Sequence, residues 1–428
     1  MSDEKFQVIV IGAGVAGCAA AYRLAKAGRE VLLVERAKTA GAKNVTGGRL
    51  YAYALEELMP GEWADAPLER EVTREIVMMM AKGNGIALDS RLSSVDKLSY
   101  TVLRAKLDKW LADKAEEAGA MMVTGSRVDE LLVRDGKVCG VKLGDEELEA
   151  DLVISAEGVN PLAAERAGLI KPVKLDNVAV GVKQVFKLPE AVINERFNTV
   201  SGKGAAMMCV GECTKGISGG AFLYTNIDSI SLGIVVDSLS WKNAKLPLAD
   251  MTEELNQHPA LACYLEGAEL VEYSAHLIPE GGIKAVPQFC ADGFMIAGDA
   301  AGLVVNNGFT VRGMDYAIMS GIAAADTANE AIAANTFGAA ALKGYEARLR
   351  QRVLKDMETY KHSHSFMVEA TNIFTAYPGM AADLIRNIYA IDGSPARRLT
   401  GIAKQTLTGG KLSLFDMAKD AYKAVKSL

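Results

Sequence analysis

Hydrophobic positions cluster most sharply near the start of the chain, where Val8, Ile9, Val10 and Ile11 form an apolar β-branched run that stops at Gly12. Such a run predicts a buried strand. The alanine-rich stretch 16–27 predicts a helix ended by Gly28, and Val31, Leu32, Leu33, Val34 and Glu35 predict a second strand. Further on, Val102, Leu103, Leu107, Trp110 and Leu111 fall on one face of a helix predicted over 101–118 and closed by Gly119. Residues 128–133 and 138–143 flank Arg134-Asp135-Gly136-Lys137 and predict a β-hairpin, and 152–158 predicts a buried strand running into a turn. From about 178 to 280 the pattern changes to short β segments with glycine-rich turns (178–186, 219–224, 229–236), which predicts a mostly antiparallel lobe inserted into the first unit. A parallel-type strand returns at Phe294, a long alanine-rich helix follows, and beyond 341 the chain reads as helical and more charged.

The first strand–helix–strand carries chemistry. Gly12, Gly14 and Gly17 form G-x-G-x-x-G at its turn, and Glu35 ends the second strand. Gly12 permits a tight turn, Gly14 lets a pyrophosphate approach the backbone, and Gly17 lets helix and strand pack closely. The free N–H groups and partial positive charge of the helix N-terminus suit phosphate, and Glu35 suits ribose hydroxyls. A dinucleotide site follows, with NAD and FAD both open. A second segment narrows the choice: the apolar strand at 294–297 ends at Gly298-Asp299, ahead of small residues. An Asp there, at a strand's carboxyl end, is placed to hold a ribityl hydroxyl, which an extended FAD offers and NAD does not. An Asp helix cap is compatible with the same position. The glycine-rich loop 41–49 is expected to approach the ligand, with a purely structural turn as its alternative.

Composition adds bounds. An apolar content of 50% with 23% charge fits a soluble globular protein, and a net charge of −6 argues against nucleic acid as a partner. No signal segment is read at the N-terminus, and the most apolar helix candidate, 317–333, carries Asp326 and Glu330, so no spanning helix is expected. The cysteines Cys18, Cys139, Cys209, Cys213, Cys263 and Cys290 are scattered, which reads as a reduced, cytoplasmic chain without an iron–sulfur cluster of its own. Cys209 and Cys213 read as two buried or loop thiols or as a redox pair. His258, beside Pro259, reads as a helix cap or surface residue, and His276 as a satisfied core residue rather than a base. His362 and His364 point apart on a helix, so no metal is expected, and no set of residues calls for nucleophilic catalysis.

G-x-G-x-x-G, Arg104-x-x-x-Asp108, Glu157-Gly158 and Gly298-Asp299 together resemble the glutathione-reductase-type FAD fold, in its hydroxybenzoate-hydroxylase and geranylgeranyl-reductase branch. By that resemblance Arg104 lies near the FAD pyrophosphate, the alternative being a surface ion pair with Asp108 at i+4. Glu157 stands where that branch has Asp, which leaves its role open. Segments 41–49, 219–226 and 308–315, with His258-Pro259 and residues 273–276, are similar to FixC proteins, relatives of electron-transfer-flavoprotein:quinone oxidoreductases, and the similarity spans the chain. It implies α/β architecture: an FAD-binding Rossmann-like domain over 1–72, 100–175 and 285–340, a β lobe for quinone or substrate over 73–99 and 176–284, and a helical region over 341–428.

The resemblance also implies cofactor-binding positions. They are Gly12, Gly14, Ala16, Gly17, Glu35 and Arg36 in the first unit, Asn44, Thr46, Gly47, Gly48 and Arg49 in the loop, and Arg104, Arg127, Val128, Ala156, Glu157 and Gly158 in the middle. Gly298, Asp299, Gly308, Arg312, Gly313 and Met314 complete them. Gly47-Gly48 is expected on one flavin face and the start of the 313–315 helix near the pyrimidine edge, with Arg312 either adding positive charge or solvated. Implied partners are an electron-transfer-flavoprotein-like α/β heterodimer as donor, a quinone as acceptor and a small ferredoxin-like [4Fe–4S] subunit, in a FixABCX-type bifurcating complex peripheral to the inner face of the cell membrane. No cysteine follows Cys290, so a cluster is expected on that separate subunit. The amphipathic stretch 412–428 suits a membrane surface or packing on the body or a partner, and Met207-Met208 and Phe222-Leu223 are candidate exposed quinone entrances. The rival readings are a stand-alone monooxygenase or prenyl reductase, and a non-catalytic flavoprotein subunit.

Overall fold

The computed structural model describes residues 5–42, 48–92, 99–409 and 412–428. Its first sheet grows around Lys5–Ile11, whose residues Val8, Ile9 and Val10 are inaccessible to solvent. Five strands run parallel in the order Phe294–Ile296, Glu146–Ser155, Lys5–Ile11, Val31–Glu35 and Met121–Thr124. Burial on both faces explains why the central stretches 8–11, 31–34, 152–154 and 294–296 read as continuous apolar runs rather than alternating ones. Glu130–Arg134 and Lys137–Leu143 extend the sheet as an antiparallel hairpin, its turn made by Asp135 and Gly136, both at positive φ as the tight hairpin turn requires.

Against this sheet, helix Val15–Lys26 packs on helix Met314–Ala334 at a distance set by small residues. A Cβ on Gly321 would overlap the Ala16 carbonyl oxygen and lie 3.0 Å from the Ala19 methyl. The alanine-rich composition of both helices thus serves their close approach, while Arg23 ties their edges through Asp326 (3.0 Å).

The second sheet has nine strands, in the order Glu269–Pro279, Val178–Lys187, Ser229–Asp237, Gly219–Thr225, Lys203–Gly211, Leu68–Ala81, Ser99–Val102 and Gly48–Tyr51, with Asn84–Arg91 paired to Leu68–Ala81. Every pairing is antiparallel except that of Lys203–Gly211 with Leu68–Ala81. Here the residues alternate. Ile76, Met78, Met80, Met207, Leu223, Ile234 and Val236 face a core of their own. The opposite face, described below, lines a cavity.

Two element boundaries differ from expectation. The helix expected from 101 begins at Arg104, because Ser99–Val102 pairs with Gly48–Tyr51 and buries Thr101 and Val102 in the sheet. The strand expected at 128–133 runs from Glu130 to Arg134. The C-terminal region is helical, from Ala339–Leu342 to Leu414–Ser427. Its last helix starts at a Ser413/Asp416 capping box and docks by its polar side, Asp420 accepting from Asn372 (2.8 Å) and Tyr377 (2.7 Å). Among the described residues no helix is long and apolar enough to cross a membrane.

Candidate functional site

A cavity of about 640 Å³ lies between the carboxyl ends of the parallel strands and the open face of the nine-stranded sheet. That volume is in the range of cofactor and ligand sites. The glycine turn forms one wall. Gly12 adopts φ +98°, donates to the Val34 carbonyl (2.7 Å), and leaves no room for a Cβ against the Ala156 carbonyl. Gly14 opens onto the cavity, where a Cβ would stand 3.8 Å from Arg104 Nη2. Glu35 is fixed at the neighbouring strand end by the N–H groups of Ala13 (2.9 Å) and Ala37 (2.7 Å), and a carboxylate retains acceptor capacity beyond two bonds.

Arg104 fills both of the roles that its spacing allows. Its guanidinium forms a bidentate pair with Asp108 (2.6 and 2.8 Å), and it also lines the cavity beside Gly14. Burial alone would lower its pKa, but the Asp108 carboxylate raises it instead, so a fixed positive charge stands at the helix N-terminus. Asp299 lines the cavity on the turn after Phe294–Ile296; burial raises its carboxyl pKa against the pull of Arg104 and His276. Glu157 lines the cavity too, its carboxylate accepting from Ser155 Oγ (2.8 Å) and the Ala163 N–H (3.1 Å).

Of the remaining expected positions, Ala16, Arg36, Gly48, Arg49, Arg127 and Val128 line the same cavity, as do Ala156, Gly158, Gly308, Gly313 and Met314. Gly48 lies against Met314, 3.0 Å from its Cε by Cβ geometry. Arg49 is also committed to Glu75 (2.5 Å) and Ser99 (2.9 Å). Asn44, Thr46 and Gly47 lie outside the described residues.

Three positions stand behind the wall rather than on it. A Cβ on Gly17 would overlap the Gly12 carbonyl oxygen, and one on Gly298 would come within 2.9 Å of the Ala16 methyl, so both serve close packing. Arg312 is neither solvated nor on the cavity. It pairs with Asp315 (2.7 Å) and Asp356 (2.7 Å), accompanies the Tyr53 hydroxyl (2.8 Å), and lies 4.3 Å from the Tyr316 ring centre. The network anchors the start of the Met314–Ala334 helix.

The sheet wall is less legible in the sequence. Val77, Met79, Met208, Val210, Phe222 and Tyr224 point into the cavity at alternate positions, with Gly181, Lys183, His276 and Ile278. Met207 and Leu223 are fully buried on the other side, so the two apolar pairs are not exposed entrances; one member of each lines the cavity. His276 is a cavity residue and not a core one, whereas His258 does cap helix Pro259–Leu265 through Nδ1. Lys183 carries an ammonium whose pKa burial lowers. Its signal in the sequence is a single Lys inside an apolar strand pattern. Cys209 and Cys213 are free and buried, their pKa values raised by that burial.

Fold and site define a flavin-dependent oxidoreductase. Residues 7–169 match the family of FAD dependent oxidoreductases, and residues 363–428 match the ETF-QO/FixC family C-terminal domain. The chain belongs to the FixC and electron-transfer-flavoprotein–quinone-oxidoreductase family. It is 44% identical over 431 residues to Protein FixC of Escherichia coli K12, covering 100% of both chains. It is also 44% identical over 436 residues to the probable electron transfer flavoprotein-quinone oxidoreductase YdiS of the same strain, again covering 100% of both. Among solved structures, a geranylgeranyl bacteriochlorophyll reductase-like protein from Thermoplasma acidophilum superposes with a TM-score of 0.70 at 20% identity, over 97% of this chain and 99% of the other. The flavin-dependent brominase Bmp2 superposes with a TM-score of 0.61 at 16% identity, over 98% of this chain and 94% of the other. The fold is therefore of the glutathione-reductase FAD type, and the chain is an FAD-dependent electron-transfer oxidoreductase.

Proposed function

We propose that this chain takes electrons from an electron-transfer-flavoprotein-like α/β heterodimer and passes them to a membrane quinone, within a FixABCX-type bifurcating complex that includes a small ferredoxin-like [4Fe–4S] subunit. The observation that carries this reading is one continuous cavity joining the glycine turn and Asp299 to the apolar face of the nine-stranded sheet. FAD would lie extended along it, supplying reversible two-electron chemistry that accepts electrons singly or in pairs. Glu35 would hold the adenosine ribose, with Arg36, Arg127 and Val128 nearby. The helix start at Gly14 and the Arg104 guanidinium would hold the pyrophosphate, and Asp299 the ribityl chain. Gly48, Gly308, Gly313 and Met314 would border the flavin ring. The N–H groups opening the Met314–Ala334 helix favour negative charge there.

The chain's own residues then position the cofactor, fix its electrostatic surroundings and leave room for an apolar acceptor. Phe222, Met208, Phe366 and Phe374 give that room an apolar lining. A peripheral membrane position is supported by the last helix, which turns Phe415 (77% exposed) and Val425 (87% exposed) outward while its polar side docks on the body.

The test is an anaerobic assay of the FAD-loaded protein with a chemically reduced electron-transfer flavoprotein and a short-chain ubiquinone analogue. Quinol formation that requires all three components is expected, with NADPH unable to replace the flavoprotein. Rapid NADPH oxidation by the chain alone, with a hydroxylated or saturated product, would instead establish a stand-alone monooxygenase or reductase.

A further inference from the structure

Three acid–base side chains that cofactor binding does not use line the same cavity: Asp237 at the end of Ser229–Asp237, Glu280 just after Glu269–Pro279, and His364 on helix Ser363–Glu369. Asp237 links the other two. Its Oδ2 lies 4.0 Å from His364 Nε2, and its charge acts on Glu280. Asp237 is rigidly held, because Oδ1 caps helix Ser238–Ala244 through the Ser240 N–H (2.7 Å). Glu280 accepts from Asn306 Nδ2 at 3.2 Å. His364 Nε2 is buried with no hydrogen-bond partner among the described residues, yet its side chain remains 24% exposed, so the ring meets both solvent and interior. A buried polar atom without a partner costs stability unless a ligand or a function uses it.

The surroundings indicate what they serve. Phe222 from the sheet and Phe366, Met367 and Phe374 from the C-terminal helices give the same cavity an apolar lining. An electron carrier that exchanges electrons alone has no need of acids. A quinone is apolar and planar, and its reduction consumes a proton at each of two oxygens.

We propose that Glu280 and His364 are the proton donors for quinone reduction in this cavity, Glu280 giving one proton and His364 relaying the other from solvent; this rests on the quinone reading above. Reduced FAD, where bound, would supply the two electrons that convert both quinone C=O groups to C–O–H, the proton it loses on oxidation passing to solvent. One new O–H bond forms as the Glu280 O–H bond breaks, and the other as a His364 N–H bond breaks while the second ring nitrogen takes a proton from water. The Glu280 carboxylate then recovers its proton from water, and the flavoprotein donor would return the two electrons, with one proton taken from solvent.

The electrostatics agree with these roles. Burial, opposed by the Asn306 hydrogen bond and assisted by Asp237, pushes the Glu280 pKa up to about 7, so its acid form is present at neutral pH. Burial lowers the His364 pKa against the pull of Asp237 and Asp176, so the ring is held neutral at neutral pH and passes a proton through its N–H as its other nitrogen takes one up. Lys183, His276, Tyr224, Cys209 and Arg49 also line the cavity from the sheet.

The experiment compares FAD-loaded wild type, Glu280→Gln and His364→Gln with two acceptors: a short-chain ubiquinone analogue, and ferricenium, which takes one electron and no proton. Quinone reduction by wild type should fall as pH rises through about 7, because the acid form of Glu280 is lost. Glu280→Gln should flatten that profile and slow quinone reduction about 100-fold at neutral pH. His364→Gln should slow it as well, with ferricenium reduction and the flavin spectrum unchanged in both variants. Independently of turnover, infrared titration should show a protonated-carboxyl C=O band that disappears in Glu280→Gln. Unchanged quinone rates in the variants, loss of both acceptor activities together, or absence of that band would overturn the assignment. A wild type that reduces ferricenium but no quinone would overturn the quinone reading, and this assignment with it.

Discussion

Gly17→Ala is expected to purify without FAD and to unfold at a markedly lower temperature than wild type. The added methyl overlaps the Gly12 carbonyl oxygen, which is backbone held by the turn and unable to swing aside as a side chain would. Relief requires the first turn of helix Val15–Lys26 to lift from strand Lys5–Ile11, and overpacking of this kind costs about 3 kcal/mol or more. The same movement carries Gly14 away from Arg104 and dismantles the phosphate site. Gly28→Ala provides the control. Gly28 also sits at positive φ (+73°) but has open space where a Cβ would go, so only the backbone strain of about 1–2 kcal/mol applies and FAD should be retained. Flavin absorbance per protein and thermal melts of the two variants make the comparison. Equal flavin content would remove close packing as the reason for this glycine.

Arg104→Ala should be nearly as damaging, for a different reason. Asp108 is completely buried, and the variant takes away its bidentate partner. Breaking a buried pair from one side costs about 3–5 kcal/mol, because the carboxylate stays desolvated. Replacing both members with leucine removes that penalty, so the double variant should regain much of the melting temperature. It should not regain FAD, since the guanidinium beside Gly14 is still missing. Arg104→Lys should recover little of either, a lysine being unable to form the planar two-bond pair. Recovery of FAD binding in the double leucine variant would show that Arg104 matters only to folding.

The two effects separate what is legible in the sequence from what is not. The glycine turn, Glu35 and Gly298-Asp299 can be read because each depends on backbone geometry within a few residues, and small or acidic residues at fixed offsets report that directly. The sheet wall cannot be read the same way. Lys183, His276 and His364 come from three separate elements, with Glu280 at the end of the strand that carries His276, and they converge only when the nine-stranded sheet forms, so no local spacing marks the set. The adjacent pairs Met207-Met208 and Phe222-Leu223 mislead for a definite reason. Neighbours on a strand face opposite sides, so an apolar pair supplies one residue to the core and one to the cavity. Arg312 shows the same limit: Asp315 at i+3 is visible as a partner, but Asp356, which completes the cage, reaches it only through tertiary packing.

Electrons are proposed to enter the flavin from another protein and to leave to an apolar acceptor in the same cavity. Sequential anaerobic rapid mixing, following the flavin absorbance of the loaded chain, resolves both transfers. Bleaching on mixing with reduced electron-transfer flavoprotein but not with NADH or NADPH, followed by recovery of the oxidised spectrum on adding a ubiquinone analogue, is the predicted result. Bleaching by NADPH alone, or a reduced flavin that no quinone reoxidises, would contradict it.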